Sequence, residues 1–338
     1  MVRRAWEQEI EPWFLRNGLP YFVPSERERA RHALRPRKIV PLMVLVALAA
    51  LGAAAALTWV TEEPSFAPAT LTLIAVVAAG FYAVTALRAR PILAWALRRT
   101  RRSLRQLVPM ATRALPLLLL FITFLFINAE AWELSSNLDG QVLWLVLLLF
   151  GGIAVGFLLV RLPEEVDKVD DDIDVELVRR ATRATPIEEP VAELLDRRGD
   201  ELGPRSYGDV PDYERWNLIL VLLVTQVAQV LLLAVSVLSF FLVFGGIVMT
   251  DDVQSSWTGT PKEDLGRLPL LNNLTVELVQ VSVFLAAFAS LYFTVAVMTD
   301  ETYREQFFSE VLHELERAVG VRAGYLALQD DQPESDPG

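Results

Sequence analysis

Six long apolar runs divide this chain of 338 residues, and its basic residues fall almost entirely in alternate gaps between those runs. Of the 31 lysines and arginines, 29 lie in the segments 1–38, 88–113, 161–215 and 299–338. The remaining two, Lys262 and Arg267, lie in the other gaps. Lysine and arginine that flank membrane helices stay on the cytoplasmic side. The pattern therefore predicts six transmembrane helices with both termini in the cytoplasm.

The apolar runs have the length that a membrane span requires. A hydrocarbon core of about 30 Å needs roughly 20 helical residues. The predicted spans are 39–60, 67–87, 114–132, 141–160, 217–249 and 274–298. None alternates as a barrel strand would, so we expect an all-α, polytopic integral membrane protein with amphipathic cytoplasmic helices. A mean hydropathy of +0.36 agrees with this class. The fifth run exceeds the bilayer core, and a break at Gly245-Gly246 is expected.

The charge pattern also divides the chain into segments. These are an amphipathic N-terminal segment 1–38, four membrane helices in 39–161 with a basic loop 88–113, an acidic cytoplasmic insertion 162–216, two membrane helices in 217–298 with an outer loop 250–273, a cytoplasmic helix 299–329 and an acidic tail 330–338. The tail is proline-containing and is expected to be disordered.

Three cytoplasmic segments carry helical apolar stripes. Trp6, Ile10, Trp13 and Phe14 share one helix face, which would lie at the bilayer surface or pack on the protein's own cytoplasmic side. The insertion 162–216 holds 17 acidic against eight basic residues and too few apolar residues for a core of its own. It therefore reads as two helices that lean on a partner surface. A similar stripe in the C-terminal helix predicts packing on a neighbour.

The basic loop 88–113 contains eight arginines and no acidic residue. It predicts an amphipathic helix at the inner leaflet that contacts anionic phospholipid head groups. The contacting residues would be Arg98, Arg99, Arg101, Arg102 and Arg105. The alternative is positive-inside charge without a specific ligand. Nucleic acid is not expected as a partner, because the patch lacks interleaved aromatic residues and the net charge is −11.

Polar residues within the spans are few. Gln226 and Gln229 lie three apart in the fifth span, and Glu277 and Gln280 lie three apart in the sixth, so each pair shares a helix face. These residues either form hydrogen bonds between helices or line a pore or ligand cleft. In the fourth span, Gly152-x-x-x-Gly156 has the spacing of a close helix contact, within the chain or in a homo-oligomer.

The sequence contains no catalytic or nucleotide-binding motif, and neither histidine has metal-ligand spacing. The absence of cysteine excludes thiol catalysis and disulfides. We therefore expect no enzyme activity, no cofactor and no bound metal. Arginine greatly exceeds lysine, as in high-GC bacterial genomes. The sequence favours a plasma-membrane scaffold or regulatory subunit that binds a protein partner through its cytoplasmic helices. The alternative is an oligomeric channel or facilitative transporter lined by the polar faces of the fifth and sixth helices.

Overall fold

The structure is a computed structural model, and it is all-α. It describes residues 5–61, 66–86, 89–98, 120–138, 140–171, 173–198, 210–259, 273–299 and 301–331. The helices are α1 (Ala5–Arg16), a 3-10 helix (Pro20–Phe22), α2 (Pro24–Ala33), α3 (Pro36–Thr61), α4 (Phe66–Thr85), α5 (Arg90–Arg98), α6 (Ala129–Ser136), α7 (Gly140–Asp171), α8 (Val175–Ala181), α9 (Glu188–Arg198), α10 (Asp212–Val248), α11 (Asp251–Thr258), α12 (Val276–Thr299) and α13 (Glu301–Asp330).

Four of the described helices are long and apolar enough to cross a membrane, which suggests a multi-pass membrane protein. The qualifying stretches are Pro36–Val60, Val142–Asp167, Tyr213–Val248 and Val276–Val297. Helices α4 and α5 add a fifth if this bent pair is counted as one span. The predicted first, second, fourth, fifth and sixth runs are thus all helical within the described residues.

The third predicted span, 114–132, is described only from residue 120. Residues 120–126 are helical, and the chain then leaves the helix at Ile127 and Asn128. The Asn128 side chain accepts a hydrogen bond from the Glu130 N–H and so begins a separate helix, α6. Trp132 therefore belongs to α6, and the predicted end of this run was wrong.

The predicted break at Gly245-Gly246 was also wrong, because α10 continues to Val248. Gly245 instead allows a close approach of neighbouring side chains. A Cβ at this position would lie 2.4 Å from Leu278 Cδ1 and 2.9 Å from Phe126 Cζ. The missing side chain thus lets α12 and the 120–126 helical segment pack directly against the α10 backbone.

One hydrophobic core collects residues from both ends of the chain. It joins α1, the 3-10 helix, the second half of α7, α8, α9, the first turns of α10 and the second half of α13. We call this assembly, together with α2, the terminal module. Ile10, Leu162, Leu194, Leu218 and Val319 are completely buried in its core. The apolar face of the insertion is therefore covered by the chain's own helices, and binding of a partner by the insertion stays a prediction.

A second core lies at the opposite ends of α10 and α12, and we call it the distal core. It contains Phe126 and Trp132, the α10 residues Val237 and Phe241, and the α12 stretch from Leu278 to Ala289. Helix α10 also contributes Leu222 to the terminal core, and α12 contributes Val297. These two antiparallel helices therefore connect the two cores.

Helices α3 and α4 form a hairpin that packs mainly on itself. Its other main contact is between α4 and α7. Only 11% of the most apolar stretch of α3 is buried, against 44% for α12. The hairpin therefore stands at the side of the helix bundle and exposes most of its apolar surface.

Candidate functional site

A buried carboxylate joins three separate parts of the terminal module. Glu214, in the first turn of α10, is 4% exposed. Its Oε1 accepts a hydrogen bond from Arg27 Nη2 of α2, and its Oε2 accepts one from Arg322 Nε of α13. Arg322 is itself buried, whereas Arg27 is partly exposed. One acidic side chain thus pairs with two arginines that lie almost 300 residues apart in sequence.

The next turn of α10 holds the N-terminal segment through a second polar residue. Asn217 is completely buried. Its Oδ1 accepts a hydrogen bond from the Tyr21 backbone N–H at 2.9 Å, and its Nδ2 donates to the Gly18 carbonyl at 3.0 Å. Asn217 therefore satisfies two backbone groups that the turn at residues 17–23 would otherwise leave buried without partners. Burial raises the pKa of the neighbouring Tyr21 phenol to about 12.

Helix α13 reaches α8 and α9 through two glycines. A Cβ on Gly320 would lie 2.5 Å from Ala181 Cβ, and a Cβ on Gly324 would lie 3.1 Å from Val191 Cγ2. The four-residue spacing puts both glycines on one face of α13. This pair was not predicted from the sequence, because small-residue spacing indicates close helix packing within apolar runs, and α13 is not an apolar run.

The predicted glycine pair lies in a different environment. Gly152 and Gly156 are exposed, and a Cβ on either would meet nothing within 4 Å among the described residues. Helix α7 contacts α10 and α12 through its other faces. The close helix contact predicted for these glycines thus stays a prediction.

The four predicted lining residues lie on two levels of the bundle. Gln226 and Gln229 lie on α10 near the end of its contribution to the terminal core, which reaches Val227, and before its contribution to the distal core, which begins at Leu233. Glu277 lies beside Leu278, which contacts α10 at the level of Gly245. Sixteen residues of helix separate Gln229 from Gly245, which is about 24 Å along the axis. The structure therefore brings together the members of each pair and separates the two pairs.

Gln226 and Gln229 belong to a polar layer between the two cores. On α12, Ser290 and Thr294 occupy the matching interval between Ala289 and Val297. Each of these hydroxyls donates to a carbonyl of its own helix, at 2.8 Å in both cases. Gln226 Nε2 and Gln229 Oε1 are buried atoms without a hydrogen-bond partner among the described residues. This layer thus presents both a donor and an acceptor inside the bundle.

Gln280 lies at the other level, in a hydrogen-bond network that ties the ends of helices together, and Glu277 lies three residues before it. Gln280 Nε2 donates to the Leu138 carbonyl at 3.3 Å. The centre of the network is the buried Gln254 of α11, whose Nε2 donates to the carbonyls of Met249 and Asn273 at 3.0 and 3.1 Å. The Thr275 hydroxyl donates to Gln254 Oε1 at 2.5 Å and accepts from the Leu278 N–H. These bonds cap the start of α12, which is a structural role.

Of the five arginines predicted to contact lipid, only Arg98 is described. It is exposed, and its Nη2 donates to the Arg16 carbonyl at the end of α1 at 3.1 Å. Arg99, Arg101, Arg102 and Arg105 lie outside the described residues. In the described part of the chain, no group of three or more potential ligand side chains could hold a metal ion.

Comparison with known proteins adds no relationship. No family model matches the chain, and neither a curated protein nor a solved structure is significantly similar to it.

Proposed function

We propose that this chain is a non-enzymatic scaffold or regulatory subunit of the plasma membrane, with six spans and both termini in the cytoplasm. Its working part is the terminal module. The observation that carries the proposal is the shared core, in which three of the four charged segments, namely the N-terminal segment, the insertion and the C-terminal helix, fold against each other. A protein that only crossed the membrane would not need buried ionic and amide anchors between its ends.

The partner surface in this proposal is the outside of the assembled module. The apolar helix faces that the sequence makes available to a partner are covered by other helices of the same chain, since Ile10, Leu194 and Val319 are fully buried. The residues that stay exposed include Glu189 and Glu193 on the outer face of α9. Partner binding through this face would then rest on charged and polar contacts, which favour association rate and specificity over affinity.

Site-specific photocrosslinking in native membranes tests this proposal. A photoreactive amino acid at Glu189 or Glu193 should give one reproducible protein adduct of constant mass. The same residue at Leu73, exposed on α4, is the matched control and should give no such adduct. In the protein with the photoreactive amino acid at position 193, the additional substitution Glu189→Lys should lower the yield of the adduct without changing the thermal stability of the protein. Absence of any protein adduct from module positions would overturn the proposal.

The proposed orientation has its own test, which the absence of native cysteine makes simple. Single cysteines at the exposed positions Ser25 and Glu189 should react with a membrane-impermeant maleimide only after the cells are opened. A cysteine at the exposed Asp251, at the other end of α10, should react in intact cells. The reverse pattern would contradict cytoplasmic termini.

A channel or facilitative transporter lined by α10 and α12 is the second candidate. It is favoured by the unpartnered amide atoms of Gln226 and Gln229 in the polar layer. The purified protein in liposomes should then pass an ion or small solute, and Gln226→Leu with Gln229→Leu should reduce that flux. Gln280→Leu, in the capping network, is the matched control and should leave it unchanged. No flux across a broad solute panel would remove this candidate.

A further inference from the structure

A long apolar groove runs between α3 and α4. Its volume is about 640 Å³, and its lining includes Ile39, Met43 and Ala47 of α3 and Ala75, Ala79 and Tyr82 of α4. From Ile39 to Leu51 the groove follows α3 for about 18 Å. Alanine at many lining positions keeps the two helices from filling the space between them. The groove is therefore shaped for a narrow, extended apolar chain.

Positively charged residues border the end of the groove nearest the terminal module. Arg35, Arg37 and Lys38 are exposed at the start of α3. Lys38 lies four residues before the lining residue Leu42 and so shares the groove's side of α3, and Arg35 directly precedes the first residue of that helix. The sequence contains no acidic residue from Arg29 to Thr61 or from Phe66 to Arg98. An anion at this mouth would thus meet no repulsion from either helix.

A specific hydrogen bond holds the mouth in place. The hydroxyl of Tyr82, which lines the groove, donates to the Ala33 carbonyl at the end of α2 at 2.7 Å. The carbonyl of Arg35 also accepts from the Lys38 and Ile39 N–H groups at 2.8 and 3.1 Å. The basic residues are therefore fixed relative to the apolar groove by backbone contacts on both helices.

We infer that this groove binds one anionic phospholipid, with its phosphate at Arg35 and Lys38 and an acyl chain between α3 and α4. The charge at the mouth selects an anionic head group, and the groove selects the apolar tail. This site is independent of the proposed partner binding by the terminal module. It also differs from the arginines of the basic loop, because it combines charge with an apolar cavity in a single place.

Native mass spectrometry of the purified full-length protein tests the site, with dioleoylphosphatidylglycerol as the anionic probe and dioleoylphosphatidylcholine as the neutral one. The wild type should retain one phosphatidylglycerol preferentially. Arg35→Gln with Lys38→Gln should weaken that binding roughly 30-fold, as expected for two basic residues near a membrane surface. Arg180→Gln with Arg183→Gln, exposed on the far side of the module, is the matched charge control and should bind normally.

A second pair of variants tests the groove itself. Ala47→Leu with Ala75→Leu fills the space and should abolish preferential retention, whereas Ala49→Leu, on an exposed face of α3 outside the lining, should not. On the unmodified protein, phosphatidylglycerol with a photoreactive acyl chain should label residues 39–51 and 71–82. Equal retention of both lipids would mean a general lipid annulus only and would overturn the site. Normal phosphatidylglycerol binding by the Ala47→Leu, Ala75→Leu variant would also overturn the site. A wild-type dimer that this variant converts to monomers would overturn it as well.

Discussion

The terminal module and the distal core share two helices and are held together by different means. In the terminal module, ionic and amide side chains fix segments that are distant in sequence, with Glu214 and Asn217 of α10 as the anchors. The distal core relies on aromatic packing, with Phe126 stacked on Phe241 at 4.6 Å between ring centroids. Its Trp132 indole donates to the Phe126 carbonyl at 2.6 Å.

In the proposed topology the terminal module lies in water and the distal core lies among lipid-facing helices, and these surroundings account for the difference. In water, burial of apolar surface drives folding, and each buried polar group needs a hydrogen-bond partner in the folded chain. Among apolar helices in lipid, burial brings no hydrophobic gain, so close packing and hydrogen bonds to main-chain carbonyls hold the helices. Substitutions should therefore act on different properties of the two cores.

The largest effect is expected from Glu214→Gln. Removing the charge leaves Arg322 buried without its ionic partner, which typically costs about 3–5 kcal/mol. Thermal unfolding of the purified protein should show this loss. Asp167→Asn is the matched control, because the Asp167–Arg215 pair is partly exposed and should contribute no more than about 1 kcal/mol.

A rescue variant separates charge from packing at the same place. Glu214→Leu combined with Arg27→Met and Arg322→Met should recover most of the stability, because apolar side chains of similar size often replace a buried ion pair without loss. If Glu214→Gln unfolds at the wild-type temperature, the proposed role of this residue is incorrect.

Gly320→Ala should have the next largest effect. The added methyl group would lie 2.5 Å from Ala181 Cβ, which cannot rotate away, so α13 must move from α8 at a cost of about 1–3 kcal/mol. Gly151→Ala is the control, because its methyl group would meet nothing within 4 Å of the described residues. It should be neutral or stabilise the helix by up to about 1 kcal/mol. Equal effects of the two substitutions would argue against close packing of α13.

Gly245→Ala tests the distal core and should cost less, about 1 kcal/mol. Its methyl group would meet the ends of the Leu278 and Phe126 side chains, which can turn, rather than a fixed Cβ. Resistance of α10–α12 to limited proteolysis in detergent should decrease slightly while the terminal module is unaffected. A larger loss of stability in Gly245→Ala than in Gly320→Ala would contradict the expected order of the two substitutions.

The smallest effect concerns pH and the Tyr21 phenol. Its pKa is raised from 10.0 to about 12 by burial, so the folded state holds the proton more tightly than the unfolded chain. The associated stability is present below pH 10 and is lost as the pH rises from about 10 to about 12. Tyr21→Phe cannot ionise, and its unfolding free energy should decline less over this window. Identical pH profiles would show that the phenol is not buried in solution.

Periodicity and charge were enough to predict most helices, because both are properties of neighbouring residues. The face formed by Ile10 and Phe14 and the helix of α13 could be read in this way. The residues that cover that face could not be predicted from the sequence, since the contacts that hold the N-terminal segment, such as the hydrogen bond between Tyr21 and Asn217, join positions 196 residues apart. Gln226 and Gln229 were identified in the sequence as one helix face, whereas their position between the two cores could not be predicted, because the cores join residues that are distant in sequence.

The central claim is that both chain ends and the insertion form one folded module. A disulfide between Thr182→Cys and Gly324→Cys tests it directly, because a Cβ on Gly324 would lie 3.2 Å from Thr182 Cγ2 and the chain has no other cysteine. Mild oxidation of native membranes should yield the 182–324 disulfide-linked peptide by mass spectrometry. The control pair Arg180→Cys with Gly324→Cys should not yield its own linked peptide, because Arg180 lies on the exposed face of α8. If both cysteine pairs form the disulfide to the same extent, or if neither pair forms it, the claim of one folded module is contradicted.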